Sequence, residues 1–262
     1  MLLGEPPHSD YDLQFQFLGY RVRVTWGFWV LALILGWQMA RGMDALAVMN
    51  GMASPGQPVL LIIWVAAVFL SILVHELGHA YAMTYYRMPS RIVLYHFGGI
   101  AIPEFGAWNA GRARQAGPAE NIVIFAAGPA AQLALAGVAW AIAYAMRVPI
   151  VLYGFQITPG ELPSSVALLA VLEFIVYPSV FWAVLNLIPI IPLDGGQITK
   201  NALYLSNVQN PTQVAHMVSV GAGAVAGLFF MSTGNVFAAI MFFMFAAQNW
   251  QWMQYGGGMG GF

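Results

Sequence analysis

The chain has 262 residues, 60% of them hydrophobic and only 7% charged. A soluble globular domain carries about 25% charged residues, so the composition excludes one and points to a multi-span membrane protein. A net charge of −1 without a basic block argues against a nucleic-acid partner. The absence of cysteine excludes disulfides and thiolate metal sites.

Residues 1–12 hold Glu5, Asp10 and Asp12 and no basic residue, a poor start for a signal peptide, so the first apolar segment is expected to stay as a span. Polarity then alternates, with Leu13, Phe15 and Phe17 against Gln14 and Gln16, followed by Arg21, Val22, Arg23 and Val24. The period of two favours short interfacial strands, and an irregular amphipathic lead-in on the headgroups fits as well. The first span is expected at 25–40, with aromatics near both ends. A Gly/Ser/Pro loop at 41–58 leads to the second span, 59–87, roughly 43 Å of helix at the standard rise. Pro89 disfavours helix at Met88 and should end it there.

The second span carries His75, Glu76 and His79 as H-E-x-x-H. On a helix the two histidines lie one turn apart on the same face, so both imidazoles can serve one metal ion. Glu76 is beside them without being needed as a ligand, which suits a general base working with zinc. In a soluble helix this motif can arise by chance. In a membrane span two His and one Glu are costly unless they coordinate something.

Strand formers Ile92 to Tyr95, the break at Phe97-Gly98-Gly99-Ile100 and Pro103 predict an apolar hairpin at 90–105, tolerable at membrane depth only when packed on protein or lining a wet cavity. A polar connector with Arg112 and Arg114 follows at 108–120. The third span, 122–146, is rich in Ala and Gly, and Gly128-Pro129 near its start would admit a neighbouring helix closely. A proline-punctuated loop at 147–163 leads to the fourth span, 166–188, which carries Glu173 and Asn186. Glu173 fits either a protonated group against a neighbouring helix or a water path to the metal. Pro189, Pro192 and Gly195-Gly196 should stop regular helix, with a short helix at 197–206, spans at 214–231 and 236–252, and a glycine-rich, disordered tail at 253–262.

The expected fold is therefore an all-α polytopic membrane protein, six transmembrane helices with a small membrane-associated β-hairpin or sheet, forming a single domain over 1–252. Six spans put Arg21, Arg23, Arg87, Arg91, Arg112, Arg114 and Lys200 on one side and Arg41 and Arg147 on the other. Both termini are then cytoplasmic and the protein belongs in the cell membrane.

Two histidines do not close a zinc site. The candidates for a third ligand are Glu173, Asp194, His96 and His216. Asp194 is preferred, because it follows the proline-broken end of span four on the side where His75 and His79 lie in span two. His96 and His216 are expected near the interface without metal. The P-L-D-G-G stretch alone would read as a turn; beside a histidine pair it reads as a ligand, since catalytic zinc typically has three protein ligands.

With those residues in place, H-E-L-G-H followed about a hundred residues later by N-x-x-P-x-x-P-L-D-G-G resembles the site-2 protease family of intramembrane zinc metalloproteases, nearest its compact six-span, sporulation-type subgroup. The resemblance implies one Zn²⁺ per chain held by His75, His79 and Asp194, with Glu76 as general base. It also implies that Asn186 holds the substrate backbone or the tetrahedral intermediate. Phe97, Gly98 and Gly99 would belong to a hairpin that presents an extended substrate strand. The family commonly has Asn three residues after the Gly-Pro motif, where this chain has Gln132, an amide whose role is open. The implied partners are a transmembrane protein substrate and the lipid bilayer, with room for a regulatory membrane protein. A non-catalytic zinc-containing adaptor and a metal transporter are the rival readings; the first would lack a base or ligand, and the second would need ligands forming a through path.

Overall fold

The computed structural model describes residues 5–96, 98–104, 115–152 and 154–256. The chain divides into two compact units, one comprising Met1–Ala113 with Gly128–Ala183, the other Arg114–Ala127 with Val184–Phe262.

The first unit opens with strands β1 (Leu13–Phe17) and β2 (Tyr20–Val24), paired antiparallel with Phe17 opposite Tyr20. Leu18 and Gly19 between them both have positive φ, the two-residue turn whose twist suits a hairpin. The alternating lead-in is therefore strand. Helices α1 (Trp26–Met49) and α2 (Gln57–Tyr85) follow, then β3 (Ser90–Tyr95) and β4 (Gly98–Pro103). The strands form one sheet in the order β1-β2-β3-β4, in which β2 and β3 run parallel and the other pairs antiparallel. The two hairpins, with 65 residues between Val24 and Ser90, are paired through the Val22–Ile92, Arg23–Val93 and Val24–Leu94 register.

Alternation along β2 and β3 turns Val22, Val24, Ile92 and Leu94 to one face, where they pack with Phe28 of α1 and Ile72, Leu73 and Ala80 of α2. The sheet thus lies along the part of α2 that carries the histidine motif. On its polar side Arg23 is buried, with Asp12 at 3.4 Å, Glu5 at 3.3 Å and the Pro6 carbonyl at 2.7 Å.

Helix α1 runs past the expected end at residue 40, because Ala40, Met43 and Ala47 pack on Leu60 and Trp64 of α2. Gly36 sits where a Cβ would strike the Trp64 indole, and that indole donates to the Ala32 carbonyl at 3.1 Å. Helix α2 stops at Tyr85, slightly before Met88. Arg87 takes a left-handed conformation, its N–H bonds Thr84 C=O and the Met88 N–H bonds Met83 C=O, a Schellman closure that ends the helix ahead of Pro89. Helix α3 (Pro118–Ala145) starts earlier than expected, at a proline, where a missing N–H costs nothing. Its residues from Gly128 onward belong to the first unit. A small hairpin of β5 (Val151–Leu152) and β6 (Phe155–Gln156) occupies the expected loop. Helix α4 (Val166–Asn186) then contributes Leu169, Phe174 and Val176 to the core around Leu60 and Trp64.

The second unit contains α5 (Asp194–Leu205), α6 (Pro211–Ser232) and α7 (Val236–Gly256). Helix α6 packs on α7 through Phe230 stacked on Phe242 and through Gly223, which closes on Ala246. The expectation that Gly195-Gly196 stops helix is corrected: both lie inside the first turn of α5. A Cβ on Gly195 would meet the Leu187 carbonyl and one on Gly196 the Ile190–Ile191 peptide, so the glycines let the preceding loop fold back on the helix.

Among the described residues five helices, α1, α2, α3, α4 and α6, are long and apolar enough to cross a membrane. Their outward faces carry Ile34, Trp37, Ile62, Val138, Val225 and Leu228, which a helix facing water would not show. Helix α7, where the sixth span was expected, forms as a 21-residue helix but lies outside those five, its second half holding Gln248, Asn249, Gln251 and Gln254. The Arg112 and Arg114 connector and most of the glycine-rich tail lie outside the described residues.

Candidate metal centre

His75, Glu76 and His79 are all buried on α2. The helical spacing brings His75 Nε2 and His79 Nε2 to 3.1 Å, with the rings edge to face. Two ligands at about 2.0–2.1 Å in a tetrahedron stand roughly 3.4 Å apart, so this pair fits zinc with almost no movement. Gly128 of α3 closes on the His79 ring so tightly that a Cβ there would overlap Nε2. The small residue expected to admit a neighbouring helix admits an imidazole.

The other nitrogen of His75, Nδ1, lies 3.0 Å from Gln132 Oε1. Gln132 Nε2 donates to Ser71 Oγ at 2.8 Å, and Ser179 Oγ donates to the same oxygen at 2.8 Å. An amide that spends its N–H on Ser71 presents its oxygen to the imidazole. His75 therefore carries its proton on Nδ1 and keeps the Nε2 lone pair for a metal. Gln132, Ser71 and Ser179 are all 0% exposed, so α2, α3 and α4 are tied by one buried polar chain that ends on His75 Nδ1, the ring nitrogen turned away from His79. The two serines were not singled out from sequence. Ser71 was findable, since it is one turn before His75 on the same face as both histidines.

Glu76 lies under β4. Gly99 is pressed on the Glu76 carboxylate, leaving no room for a Cβ, and Gly98, with φ of 125°, turns against the Trp182 indole. Among the described residues the strand is an edge of the sheet, and an edge strand can pair with another strand on its outer side, here beside the Glu76 side chain. Tyr95 ends β3 opposite Gly98. Burial, and then the Glu76 charge, push its phenol up to about 12, so it keeps its proton.

The remaining predicted residues fall elsewhere. Phe97 lies outside the described residues. His96 is exposed and edge-on to Tyr95. Glu173 is half-buried on α4, about 9 Å along the axis from Ser179. In the second unit, Asn186 is the last residue of α4 and Asp194 the first of α5. His216 is buried on α6 and bonds Asn249 of α7 at 2.7 Å.

Comparison with known proteins places the chain among relatives. A Synechocystis sp. protein named "Putative zinc metalloprotease sll0528" is 28% identical over 180 residues, which cover 66% of this chain and 40% of that protein. The chain thus spans well under half the length of that curated relative. The Site-2 Protease from Methanocaldococcus jannaschii has the same fold, with a TM-score of 0.52 at 18% identity over 93% of this chain and 95% of that one. Residues 63–230, the greater part of the chain and the part that holds the histidine pair, match Peptidase family M50. This multi-pass membrane protein belongs to peptidase family M50, the site-2 protease family that its H-E-L-G-H and P-L-D-G-G stretches resemble.

Proposed function

We propose that the protein is a zinc-dependent peptidase that hydrolyses peptide bonds within or beside transmembrane segments of other membrane proteins. The observation that carries this reading is the pair of imidazole nitrogens converging at 3.1 Å inside an apolar helix, with Glu76 adjacent and an edge strand laid over it. His75 and His79 hold the zinc, and Asp194 supplies the third ligand. Bound there, zinc polarises the scissile carbonyl and lowers the pKa of water to about 7.

Glu76 takes a proton from the attacking water and later passes it to the leaving amine. Burial of Glu76 and of both histidines keeps competing water and salt away from that transfer. A substrate helix must unwind before its carbonyl can be attacked, and unwinding frees N–H and C=O groups in a medium without water. Pairing with the free edge of β4 satisfies them and holds the chain extended over Glu76. Gln132 orients His75, and Asn186 holds the substrate backbone. With α7 taken as a sixth span, the arginine and lysine distribution supports a cytoplasmic side for both termini and for the histidine half of α2.

The test uses the purified full chain in lipid nanodiscs with a transmembrane reporter peptide. Wild type should cleave it with one zinc bound. Glu76→Gln should keep the zinc and lose at least about 10²-fold in rate, the usual contribution of a general base. His79→Ala should lose both. Cleavage by Glu76→Gln at the wild-type rate would overturn the mechanism, and full zinc with no cleavage by wild type on any reporter would favour the adaptor reading. Comparing membranes from cells that carry wild-type or Glu76→Gln protein identifies the substrates, as those that accumulate uncut.

A further inference from the structure

The loop before α5 is irregular backbone in an apolar protein, and its polar groups must be satisfied by the protein itself. One residue in it is held on both sides. The Ile191 N–H donates to Ser219 Oγ at 2.9 Å, and the Ile191 carbonyl accepts from Asn249 Nδ2 at 2.6 Å. Ser219 belongs to α6 and Asn249 to α7. Both are buried, at 0% and 2% exposure.

Each holding group is itself fixed. Ser219 Oγ donates back to the Ala215 carbonyl at 2.8 Å, which leaves its lone pairs for Ile191. Asn249 Nδ2 also donates to the Phe245 carbonyl at 2.8 Å, one turn back on its own helix. Its Oδ1 meets His216 Nδ1 at 2.7 Å, and the His216 ring is stacked on Trp252 at 5.6 Å, nearly parallel. The amide therefore cannot flip without losing two bonds. Ser219, His216 and Asn249, drawn from two helices, thus converge on the two backbone polar groups of one loop residue.

Ile191 is three residues before Asp194, and the path between them is short and stiff. Leu193 N–H bonds Ile190 C=O at 2.7 Å, and Gly196 and Gln197 N–H groups bond Leu193 C=O, so the loop runs into the first turn of α5 without slack. We propose that Ser219 and Asn249 are positioning residues for Asp194: the α6–α7 pair clamps Ile191 and so fixes the direction in which the loop delivers the carboxylate. This rests on the reading of Asp194 as a zinc ligand. It assigns a role to the last two helices, which contribute no ligand of their own.

Zinc affinity of the full chain in detergent, by competition with a chelator, tests this alongside thermal unfolding of the zinc-free protein. Ser219→Ala and Asn249→Leu should each weaken zinc binding about 10–100-fold, the usual effect of removing a group that orients a ligand. Gly227→Ala is the control. Its Cβ would press on the Phe243 ring at 2.7 Å, loosening α6 against α7 away from the clamp. It should lower the melting temperature and leave zinc affinity unchanged. Should Asn249→Leu fail to fold, Ser219→Ala, which removes only one oxygen, still decides the matter. The clamp is overturned if Ser219→Ala binds zinc like wild type, or if Gly227→Ala weakens zinc as much as the clamp variants do. Asp194→Ala separates the two levels: wild-type affinity there would overturn the ligand assignment itself, whereas lost affinity there with wild-type affinity in Ser219→Ala would overturn the clamp alone.

Discussion

Gln132 shows how much a single side chain can decide. Its carbonyl oxygen meets the back of His75 and its amide nitrogen is spent on Ser71, so one residue sets the tautomer of an imidazole in the candidate metal centre. Gln132→Leu has a similar volume but removes both bonds. It leaves Ser71 and His75 Nδ1 facing an apolar surface, so zinc affinity is expected to fall about 10–100-fold with little change in fold. Gln132→Asn keeps an amide on a shorter arm and should recover part of that loss. Equal zinc affinity in wild type and Gln132→Leu, measured by chelator competition, would remove Gln132 from the site. The amide was visible in the sequence as a polar residue in an Ala/Gly-rich span. Its partners were not, because 57 positions separate it from His75 and no periodicity relates one helix to another.

At the scale of elements, β4 matters through where it rests. Pairing with β3 places Gly99 opposite Leu94, and that register sets the strand's backbone on the Glu76 carboxylate. Gly99→Ala puts a methyl group where the carboxylate is. The expected outcome is a displaced Glu76, zinc retained and cleavage of the reporter reduced about 10²-fold, the scale of an ångström-level misplacement of a catalytic group. Undiminished cleavage by Gly99→Ala would show that Glu76 does not work from this position. The hairpin itself was legible from strand formers flanking Phe97-Gly98-Gly99-Ile100. Its pairing through β3 to the N-terminal hairpin was not, since parallel register between distant strands leaves no local mark.

For the whole molecule, a metal held by groups of the folded state would be linked to the fold. A ligand that binds the folded state and not the unfolded one stabilises it by RT ln(1 + [L]/Kd), about 4 kcal/mol at a thousandfold excess over Kd. Chelation should therefore lower the melting temperature of the wild-type protein, and zinc should restore it. His79→Ala, lacking a ligand, should melt at one temperature with or without chelator. Identical melting of wild-type protein with and without zinc would argue against a metal held by folded groups.

The sequence by itself determined the membrane class, the positions of the apolar segments, the hairpin at Phe97-Gly98-Gly99-Ile100 and the histidine pair with its adjacent glutamate. Composition and short-range periodicity encode those directly, and a membrane span makes any ionisable residue conspicuous. Only the tertiary structure decided how far α1 extends, how Arg87 closes α2, and that Gly195 and Gly196 begin a helix. It also decided which buried serines and amides support His75 and Ile191. Those outcomes depend on groups that meet across different helices, where backbone polar atoms must find partners in the absence of water and each contact is set by packing that no local stretch of sequence contains.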